Sequence, residues 1–397
     1  MRQGWARWQW PKSLAIVFAV ALVLGCVSAA EFKGFDSSTL APVTETDGAW
    51  GLKIVFFNVG QADAILLLAP NGDCCLIDSG KTKSHGDSIA DYLSSQQVNG
   101  VADLQRLDLL YTTHYDLDHI GGLPQIVARG IQIRRAYDQG LSFQRHNAPR
   151  YLAYTKAVGD ANDNLQEDED EDNYVRTRIR YGRSEPIGLN DEIQILCVSA
   201  RGDTKGNEHD LPLDPAAGEI DENPGSIALL VRLGEFELYT AGDQTSEDWK
   251  NEPPVEESLI AAGALPGGND IDLLKVNHHG SDTSTSKELA KQMAPEVAVI
   301  SSRWSAKDEL PKKTSLKQLQ ENRCYVLMTG DCLDPQTEDY AGSVHKEDDD
   351  FVADNRAVFN SQGSIVVLVA GDGSRYTVRG ASFVKTFSAK DAENGRE

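Results

Sequence analysis

The sequence is poor in cysteine, and its few cysteines are poorly placed for a metal site or a disulfide framework. Its 397 residues contain 6 cysteines, without the paired spacing of a structural zinc site. Cys74 and Cys75 are neighbours on a predicted strand, so they point to opposite faces and are not expected to pair. Cys324 and Cys332 have two interpretations, a disulfide formed in an oxidising compartment or two separate thiols.

Positive charge is scarce as well. The chain has 38 lysine and arginine residues against 61 aspartate and glutamate residues, a formal net charge of −23. Without the three cations of the first thirty residues the charge is about −26. An anionic surface repels polyanions at long range, so the composition disfavours long nucleic acid as a partner. The densest acidic runs, at 166–172 and 347–350, predict solvated loops.

Long apolar runs are lacking apart from one near the N-terminus. Arg2, Arg7 and Lys12 precede an apolar stretch at 13–25, and small residues follow at 26–30. This order predicts a secretory signal peptide over 1–30, and the apolar stretch is short for a transmembrane helix. We therefore expect a secreted or periplasmic protein with no membrane span after cleavage. The alternative is a membrane-anchored lipoprotein with its lipid on Cys26.

Potential metal ligands are concentrated at 113–122, where a predicted strand ends. Within six positions the chain places His114, Asp116, Asp118 and His119, and a pair of glycines follows. A strand that ends in a loop can direct such side chains to one point, and imidazole with carboxylate suits zinc or manganese. The alternative is a polar loop whose charged side chains face solvent.

Further blocks accompany this cluster, at 56–67, 76–80, 226–230, 239–243, 274–281 and 298–301. In this order the blocks resemble the metallo-hydrolase domain of ComEC-type DNA-uptake competence proteins, which has the metallo-β-lactamase fold. The resemblance implies an α/β protein, an αββα sandwich over 48–386. We expect an acidic insertion at about 140–222, an acidic loop at about 338–356 and a polar tail at 387–397. Apolar patterns also predict one helix over 120–129 and one strand over 375–384.

The resemblance implies a centre for two divalent ions, with zinc foremost. His114 and Asp116 would bind the first ion, and Asp118 and His119 would bind the second. Asp243 would bridge both ions. Most families of this fold have histidine where this chain has Asp116, and the additional oxygen ligand admits manganese.

One of His278 and His279 would supply the last ligand, and the sequence leaves open which. The other would hold a substrate oxygen or donate a proton to the leaving group. We predict Asp118 and His279 as the residues that act most directly in catalysis. Any further histidine ligand would be His146 or His209, which are more typical of surface residues.

Three residues are predicted to support the ligands. Asp63 and Asp78 either orient a ligating imidazole or cap a turn, and the resemblance favours the supporting role. Ser281 either hydrogen-bonds a ligand or caps the following helix.

An arginine row follows the first acidic run. Arg176, Arg178 and Arg180 alternate with a period of two, so a strand would place them on one face. The row either holds a phosphate of the substrate or neutralises the preceding acidic run. We predict these three arginines as substrate-binding residues.

Together these features predict a secreted hydrolase in which a hydroxide bridging two metal ions attacks the substrate. Phosphodiesters are the favoured substrates, because ComEC-type relatives are associated with DNA degradation. The acidic charge favours small or short phosphoesters over long nucleic acid. The alternatives are hydrolysis of a lactam, lactone or thioester and, from another class, a metal-binding module without catalytic activity.

Overall fold

The computed structural model describes most of the chain between residues 49 and 389. The described residues are 49–98, 101–102, 104–140, 148–159, 176–188, 191–205, 222–246, 255–261, 263, 271–304, 309–332, 358–360, 363–380 and 383–389. The predicted signal peptide with Cys26, both acidic runs, His146 and His209 lie outside these residues. Within them, no helix is both long enough and apolar enough to cross a membrane.

Strands dominate the described residues. In chain order the strands are β1 (Trp50–Phe56), β2 (Ile65–Leu68), β3 (Cys74–Ile77), β4 (Gln97–Val98), β5 (Val101–Ala102), β6 (Arg106–Tyr111), β7 (Gln132–Asp138), β8 (Arg176–Arg178), β9 (Ser184–Ile187), β10 (Ile193–Ser199), β11 (Ala228–Leu233), β12 (Phe236–Thr240), β13 (Leu273–Lys275), β14 (Val297–Ile300), β15 (Tyr325–Met328), β16 (Val358–Asn360), β17 (Ile365–Ala370), β18 (Arg375–Arg379) and β19 (Val384–Ser388). The helices are α1 (Lys83–Ser95), α2 (Leu117–Ile120), α3 (Leu123–Ala128), α4 (Pro149–Ala157), α5 (Val255–Ala261), α6 (Lys287–Met293) and α7 (Lys313–Glu321).

Two large sheets contain all of these strands except β4 and β5, which pair with each other. The first sheet has the order β19-β18-β17-β1-β2-β3-β6-β7-β8, and the second has the order β16-β15-β14-β13-β12-β11-β10-β9. Strands β3, β6, β7 and β8 are parallel in the first sheet, as are β12 to β16 in the second. Parallel strands end at the same edge of a sheet, where loops concentrate binding groups.

The sheets pack face to face, and helices cover both outer faces. One buried cluster lies between the sheets and includes Ile54 of β1 and Leu229 of β11. A second cluster lies between the first sheet and the helices from α1 to α4, and a third lies between the second sheet and the helices from α5 to α7. The resulting order of layers confirms the predicted αββα sandwich.

Strand β1 shows why the sequence gives this layering. Leu52, Ile54 and Phe56 belong to the cluster between the sheets, whereas Val55 and the following Phe57 belong to the cluster under the helices. Successive side chains of a strand point to opposite faces, and both faces are covered, so both are apolar. Full burial of each such side chain contributes roughly 1.5–3 kcal/mol to folding.

Two predicted elements differ from the observed ones. The helix predicted over 120–129 is divided into α2 and α3 at Gly121 and Gly122. A Cβ atom on Gly122 would lie 2.0 Å from the carbonyl oxygen of Ser79, so the chain can pass this closely only at glycine. In place of the single strand predicted over 375–384 there are two antiparallel strands, β18 and β19, and Gly380 and Phe383 exchange backbone hydrogen bonds beside them.

The predicted insertion at about 140–222 contributes to both sheets where it is described. Strand β8 forms one edge of the first sheet, and β9 forms one edge of the second beside β10. Helix α4 packs against α2 and α3. These described parts are therefore integral to the sandwich.

The five described cysteines are buried thiols: Cys74, Cys75, Cys197, Cys324 and Cys332. Of the two interpretations of Cys324 and Cys332, the structure therefore shows two separate thiols without a disulfide. Burial raises the pKa of Cys74 to about 12, which keeps its sulfur protonated and unreactive near neutral pH.

Candidate metal centre

The predicted ligands come together at one edge of the sandwich, in loops that follow parallel strands. Asp78 follows β3 and His114 follows β6 in the first sheet. Asp243 follows β12, and the segment that carries His278 and His279 follows β13 in the second sheet. Each sheet therefore supplies part of one cluster.

Four buried side chains form what we call the floor of the cluster: His114, His119, Asp243 and His279. The Oδ2 atom of Asp243 lies 3.4 Å from Nε2 of His119, 3.6 Å from Nε2 of His279 and 4.0 Å from Nε2 of His114. One donor atom each of His114, His119 and Asp243 lie within 4.8 Å of one another. The same holds for Asp63, Asp243 and His279.

The floor has buried polar atoms that no protein group satisfies. Within the part of the chain that the structure describes, the Nε2 atoms of His114, His119 and His279 and the Oδ1 atom of Asp243 have no hydrogen-bond partner. Buried polar atoms are almost always paired, so three orphaned nitrogens that face one carboxylate need an explanation. Imidazole nitrogens and a carboxylate oxygen are donors that divalent transition metals take, so these residues fit a metal site.

Burial and neighbouring charges set the protonation of the floor residues. Burial alone would lower the pKa of His119, but the carboxylates of Asp243 and Asp78 hold it well above its usual value. Burial, with the nearby His119, lowers the pKa of His114 to about 3, so its imidazole is neutral and offers a lone pair. Burial alone would raise the pKa of Asp243, but His279, His119 and His278 hold it well below its usual value. Asp243 is therefore an anion at neutral pH.

Asp78 fixes the orientation of His119. Its Oδ2 atom lies 2.8 Å from Nδ1 of His119, and it also accepts a hydrogen bond of 2.7 Å from the Thr113 hydroxyl. The Thr113 amide donates to Oδ1 over 2.8 Å. A carboxylate on Nδ1 directs the opposite nitrogen, Nε2, toward the floor. Of its two predicted roles, Asp78 therefore makes the contact of a supporting residue.

The structure distinguishes between His278 and His279. The Nδ1 atom of His279 lies 2.8 Å from the carbonyl oxygen of Ser301, a contact that leaves Nε2 free to act as a ligand. His278 is partly exposed, with 26% of its side chain accessible. Its Nε2 atom lies 3.8 Å from Asp243 Oδ2 and 3.5 Å from Nδ2 of Asn223. Position and burial favour His279 as the ligand and place His278 beside the open side.

Three more accessible side chains form the rim of the cluster: Asp116, Asp118 and His278. Asp116 Oδ2 lies 4.0 Å from Nε2 of His114, while its Oδ1 accepts a hydrogen bond of 2.8 Å from Arg150 of α4. Asp118 Oδ2 lies 3.5 Å from the ammonium group of Lys81. Burial alone would raise the pKa of Asp118, but His119 and His279 keep it below the usual value. Both rim carboxylates are thus paired with a cation.

Asp63 makes a buried ion pair beneath the floor. Its Oδ2 atom lies 2.6 Å from the ammonium group of Lys275, and both side chains are buried. Its carboxylate also lies 3.6 Å from Nδ1 of His279 and 4.0 Å from Nδ1 of His119. Asp63 therefore touches the imidazoles through weak contacts, and its strong partner is Lys275.

Ser281 does not take either of its predicted roles directly. Its hydroxyl contacts the Thr283 hydroxyl at 3.0 Å, and Thr283 in turn contacts Nδ1 of His278 at 3.3 Å. The hydroxyl that caps helix α6 belongs to Ser286, which accepts a hydrogen bond from the Leu289 amide. The Ser281 hydroxyl thus reaches the His278 ring through Thr283, while the Ser281 backbone amide donates to the His278 carbonyl oxygen at 2.8 Å.

The structure contradicts the predicted substrate-binding role at one member of the arginine row, Arg176. Arg176 is buried, with its Nε atom 2.6 Å from Asp138 and its Nη2 atom bonded to the Gly140 carbonyl oxygen at 2.7 Å. Strand β8 ends at Arg178, which is half-buried, and the exposed Arg180 lies beyond it. Arg176 therefore forms buried contacts that stabilise the fold, and it is not accessible to a substrate. The acidic run of the alternative lies outside the described residues.

Several residues of the site were not anticipated from the sequence: Lys81, Arg150, Asn223, Lys275, Ser301, Glu256, whose carboxylate accepts a hydrogen bond from Asn277, and Ser226, whose hydroxyl lies 3.3 Å from Nδ1 of His114. Lys275 alone had a visible signal, because it is a lysine inside an apolar run. The others reach the cluster through tertiary contacts that leave no local pattern.

Curated proteins similar to this chain include a ComE operon protein, in agreement with the resemblance stated from the sequence. The chain is 24% identical over 289 residues to ComE operon protein 3 of Bacillus subtilis (strain 168), covering 70% of this chain and 32% of that protein. The ComEC-type resemblance is confirmed. A match to Recombination protein 2 of Haemophilus influenzae is 39% identical over 85 residues, covering 21% of this chain and 9% of that protein. The chain thus spans about a third of the Bacillus protein. No protein-family model matches it.

Solved structures similar to this chain include metal-dependent hydrolases. Zn²⁺-bound PqqB from Methylobacterium extorquens has a TM-score of 0.40 and 13% identity, covering 69% of this chain and 97% of that chain. Tm1679, a metal-dependent hydrolase of the β-lactamase superfamily, has a TM-score of 0.37 and 13% identity, covering 74% and 97%.

Proposed function

We propose that this protein is a hydrolase that depends on two divalent metal ions. The observation that carries the proposal is the convergence of three orphaned Nε2 atoms, of His114, His119 and His279, on the carboxylate of Asp243. The residues that would hold the first ion are His114 and Asp116, and those for the second are Asp118, His119 and His279, with Asp243 shared. Zinc suits the imidazoles, and the three carboxylates admit manganese.

When bound, such ions supply an activated water and stabilise negative charge that develops on the substrate. The protein's own residues would prepare the site for this chemistry. Asp78 and the Ser301 carbonyl fix the rings of His119 and His279 from behind. His278, which touches Asn223 and Thr283 at the open side, is placed to donate a hydrogen bond or a proton to the leaving group.

We propose phosphodiesters as the substrate class, and short ones above long nucleic acid. Arg150 and Lys81 bring two cations to the rim of a chain whose net charge is −23. Guanidinium and ammonium groups at the open side favour an anionic substrate, while the overall charge opposes a long polyanion. These two cations replace the arginine row as the expected contacts of a substrate phosphate.

A substrate panel tests this proposal. Bis-p-nitrophenyl phosphate, a short single-stranded oligonucleotide, long duplex DNA, a β-lactam and an acyl lactone would be compared with zinc and with manganese. We expect turnover of the phosphodiester and of the short oligonucleotide, and its loss in Asp243→Ala. Cleavage of the lactam or the lactone alone would refute phosphodiesters as the substrate class. If the metal-loaded protein hydrolyses none of these substrates, the proposed hydrolase activity is refuted.

A further inference from the structure

The segment that carries His278 and His279 has an unusual backbone. His278, His279 and Gly280 have φ angles of 47°, 53° and 81°, so three successive residues are left-handed. Residues other than glycine rarely adopt this conformation, and it persists only where surrounding contacts impose it. Some part of the structure must therefore hold the segment in this shape.

Glu256 of α5 makes contacts that can do so. Its side chain is fully buried, and its Oε1 atom accepts hydrogen bonds of 2.7 Å from Nδ2 of Asn277 and from the Thr285 amide. Its Oε2 atom accepts one of 2.8 Å from the Ser286 amide. Asn277 precedes the two histidines, and Thr285 and Ser286 follow them. One carboxylate thus joins both ends of the segment.

The same residue lies beside the loop that carries Asp243. The Glu256 amide donates to the Thr245 carbonyl oxygen at 3.3 Å. Two further backbone hydrogen bonds join this loop to the histidine segment, from Ser246 to Thr283 at 2.9 Å and from His278 to Gly242 at 3.0 Å. Glu256 therefore contacts both pieces of chain that must be aligned for His279 to face Asp243.

We propose that Glu256 is a positioning residue that sets His279 against Asp243 by fastening both ends of segment 277–286. A carboxylate is required, because all three of its side-chain partners are donors and a carboxylate only accepts. Glutamine would place its amide hydrogens against one of these donors. The functional consequence rests on the proposed metal-binding role of His279, whereas the fastening itself is independent of that role.

The experiment compares the wild type with Glu256→Gln and with Asn277→Ala, a milder change that removes one of the three hydrogen bonds. Leu259→Ala is the matched control, because Leu259 is a buried apolar residue of the same helix and belongs to the core under the second sheet. The control weakens the packing of α5 without removing a hydrogen bond to the segment.

Amide hydrogen exchange of the metal-free proteins tests the fastening. We expect the backbone amides of Thr285 and Ser286, which donate to Glu256, to exchange about tenfold faster or more in Glu256→Gln, with a smaller effect in Asn277→Ala. The amide exchange of strand β14 should not change in Glu256→Gln. In Leu259→Ala, the amides of segment 277–286 should not be accelerated more than amides elsewhere in the protein. Equal acceleration in Glu256→Gln and in Leu259→Ala would overturn the proposal.

Zinc affinity, measured by competition with a chromophoric chelator, tests the positioning. We expect Glu256→Gln to bind zinc roughly 10–100-fold more weakly than the wild type, as for other supports of metal ligands. Leu259→Ala should stay near the wild type. Faster exchange with unchanged zinc affinity would show that Glu256 fastens the segment without positioning His279, which contradicts the proposal. Wild type that binds no zinc would refute the proposed function, and the exchange data would still decide the fastening.

Discussion

The floor and the rim of the cluster use the same residue types in different ways. On the floor, the Nε2 atoms of three histidines and Oδ1 of Asp243 are buried and unpaired, while protein groups satisfy the outer nitrogens of His119 and His279. On the rim, Asp116 and Asp118 are partly exposed and each is paired with a cation. Orphaned atoms thus mark the buried side of the proposed metal centre, and the rim, where the proposed ligands Asp116 and Asp118 are also paired with cations, is the side from which a substrate would enter.

A buried ion pair does not by itself identify a functional site. The Arg176 and Asp138 pair and the Lys275 and Asp63 pair are both buried, with contacts of 2.6 Å. Arg176 is further satisfied by a backbone carbonyl oxygen and by the Tyr151 hydroxyl. The Oδ1 atom of Asp63, in contrast, has no hydrogen-bond partner and faces His279. The informative feature is therefore a group of unsatisfied atoms that face one another, as the Nε2 atoms of the floor face Asp243.

The largest effect on turnover is expected for a floor residue. Asp243→Ala removes the one oxygen ligand that all three floor histidines face, so turnover should fall by roughly a thousandfold or more. Circular dichroism should not change, because the substitution removes no core packing. Steady-state assays with bis-p-nitrophenyl phosphate measure the loss. Near wild-type activity would show that Asp243 is not the shared ligand.

A rim histidine should have a smaller effect. His278→Ala should lower kcat by about a hundredfold through loss of a proton donor, while metal content stays at the wild-type value. A substrate with a much better leaving group should be less affected, because it needs less protonation. If His278→Ala loses metal and His279→Ala does not, the assignment of the two histidines is reversed.

The rim cations should have an effect on substrate binding. Arg150→Ala and Lys81→Ala should each raise KM for an anionic phosphodiester by about tenfold, with a modest change in kcat. Added salt should reduce the difference from the wild type. Arg180→Ala is the control, because Arg180 is exposed and lies beyond β8. Equal KM values in all of these variants would remove the rim cations from substrate recognition.

The smallest effect on turnover is expected for Arg176, despite its burial. Arg176→Met leaves Asp138 as an uncompensated buried charge, so the free energy of unfolding should fall by about 3–5 kcal/mol. The kcat value per folded molecule should change little. Denaturant unfolding measures the first quantity, and active-site-normalised assays measure the second. A large rise in KM with unchanged stability would restore Arg176 as a substrate contact.

The sequence identified the residues of the floor and the rim but not the residues that contact them, for physical reasons. His114 and Asp243 follow buried strands, whose ends the apolar runs mark clearly, and His119 lies in the short helix just after His114. The choice between His278 and His279 depends on a left-handed backbone that no local pattern specifies. Alternation placed Arg176 on one face of a strand but did not tell whether that face lies inside. Arg150 and Glu256 act across long sequence separations, so only the folded chain brings them to the cluster.

Metal content tests the central claim most directly. The purified protein and Asp243→Ala would be dialysed without chelator, and zinc and manganese would be measured by mass spectrometry against protein concentration. The account predicts about two divalent ions per wild-type chain, because the cluster offers ligands for two, and fewer in Asp243→Ala with an unchanged circular dichroism spectrum. A folded wild-type protein that neither retains nor rebinds zinc or manganese would contradict it.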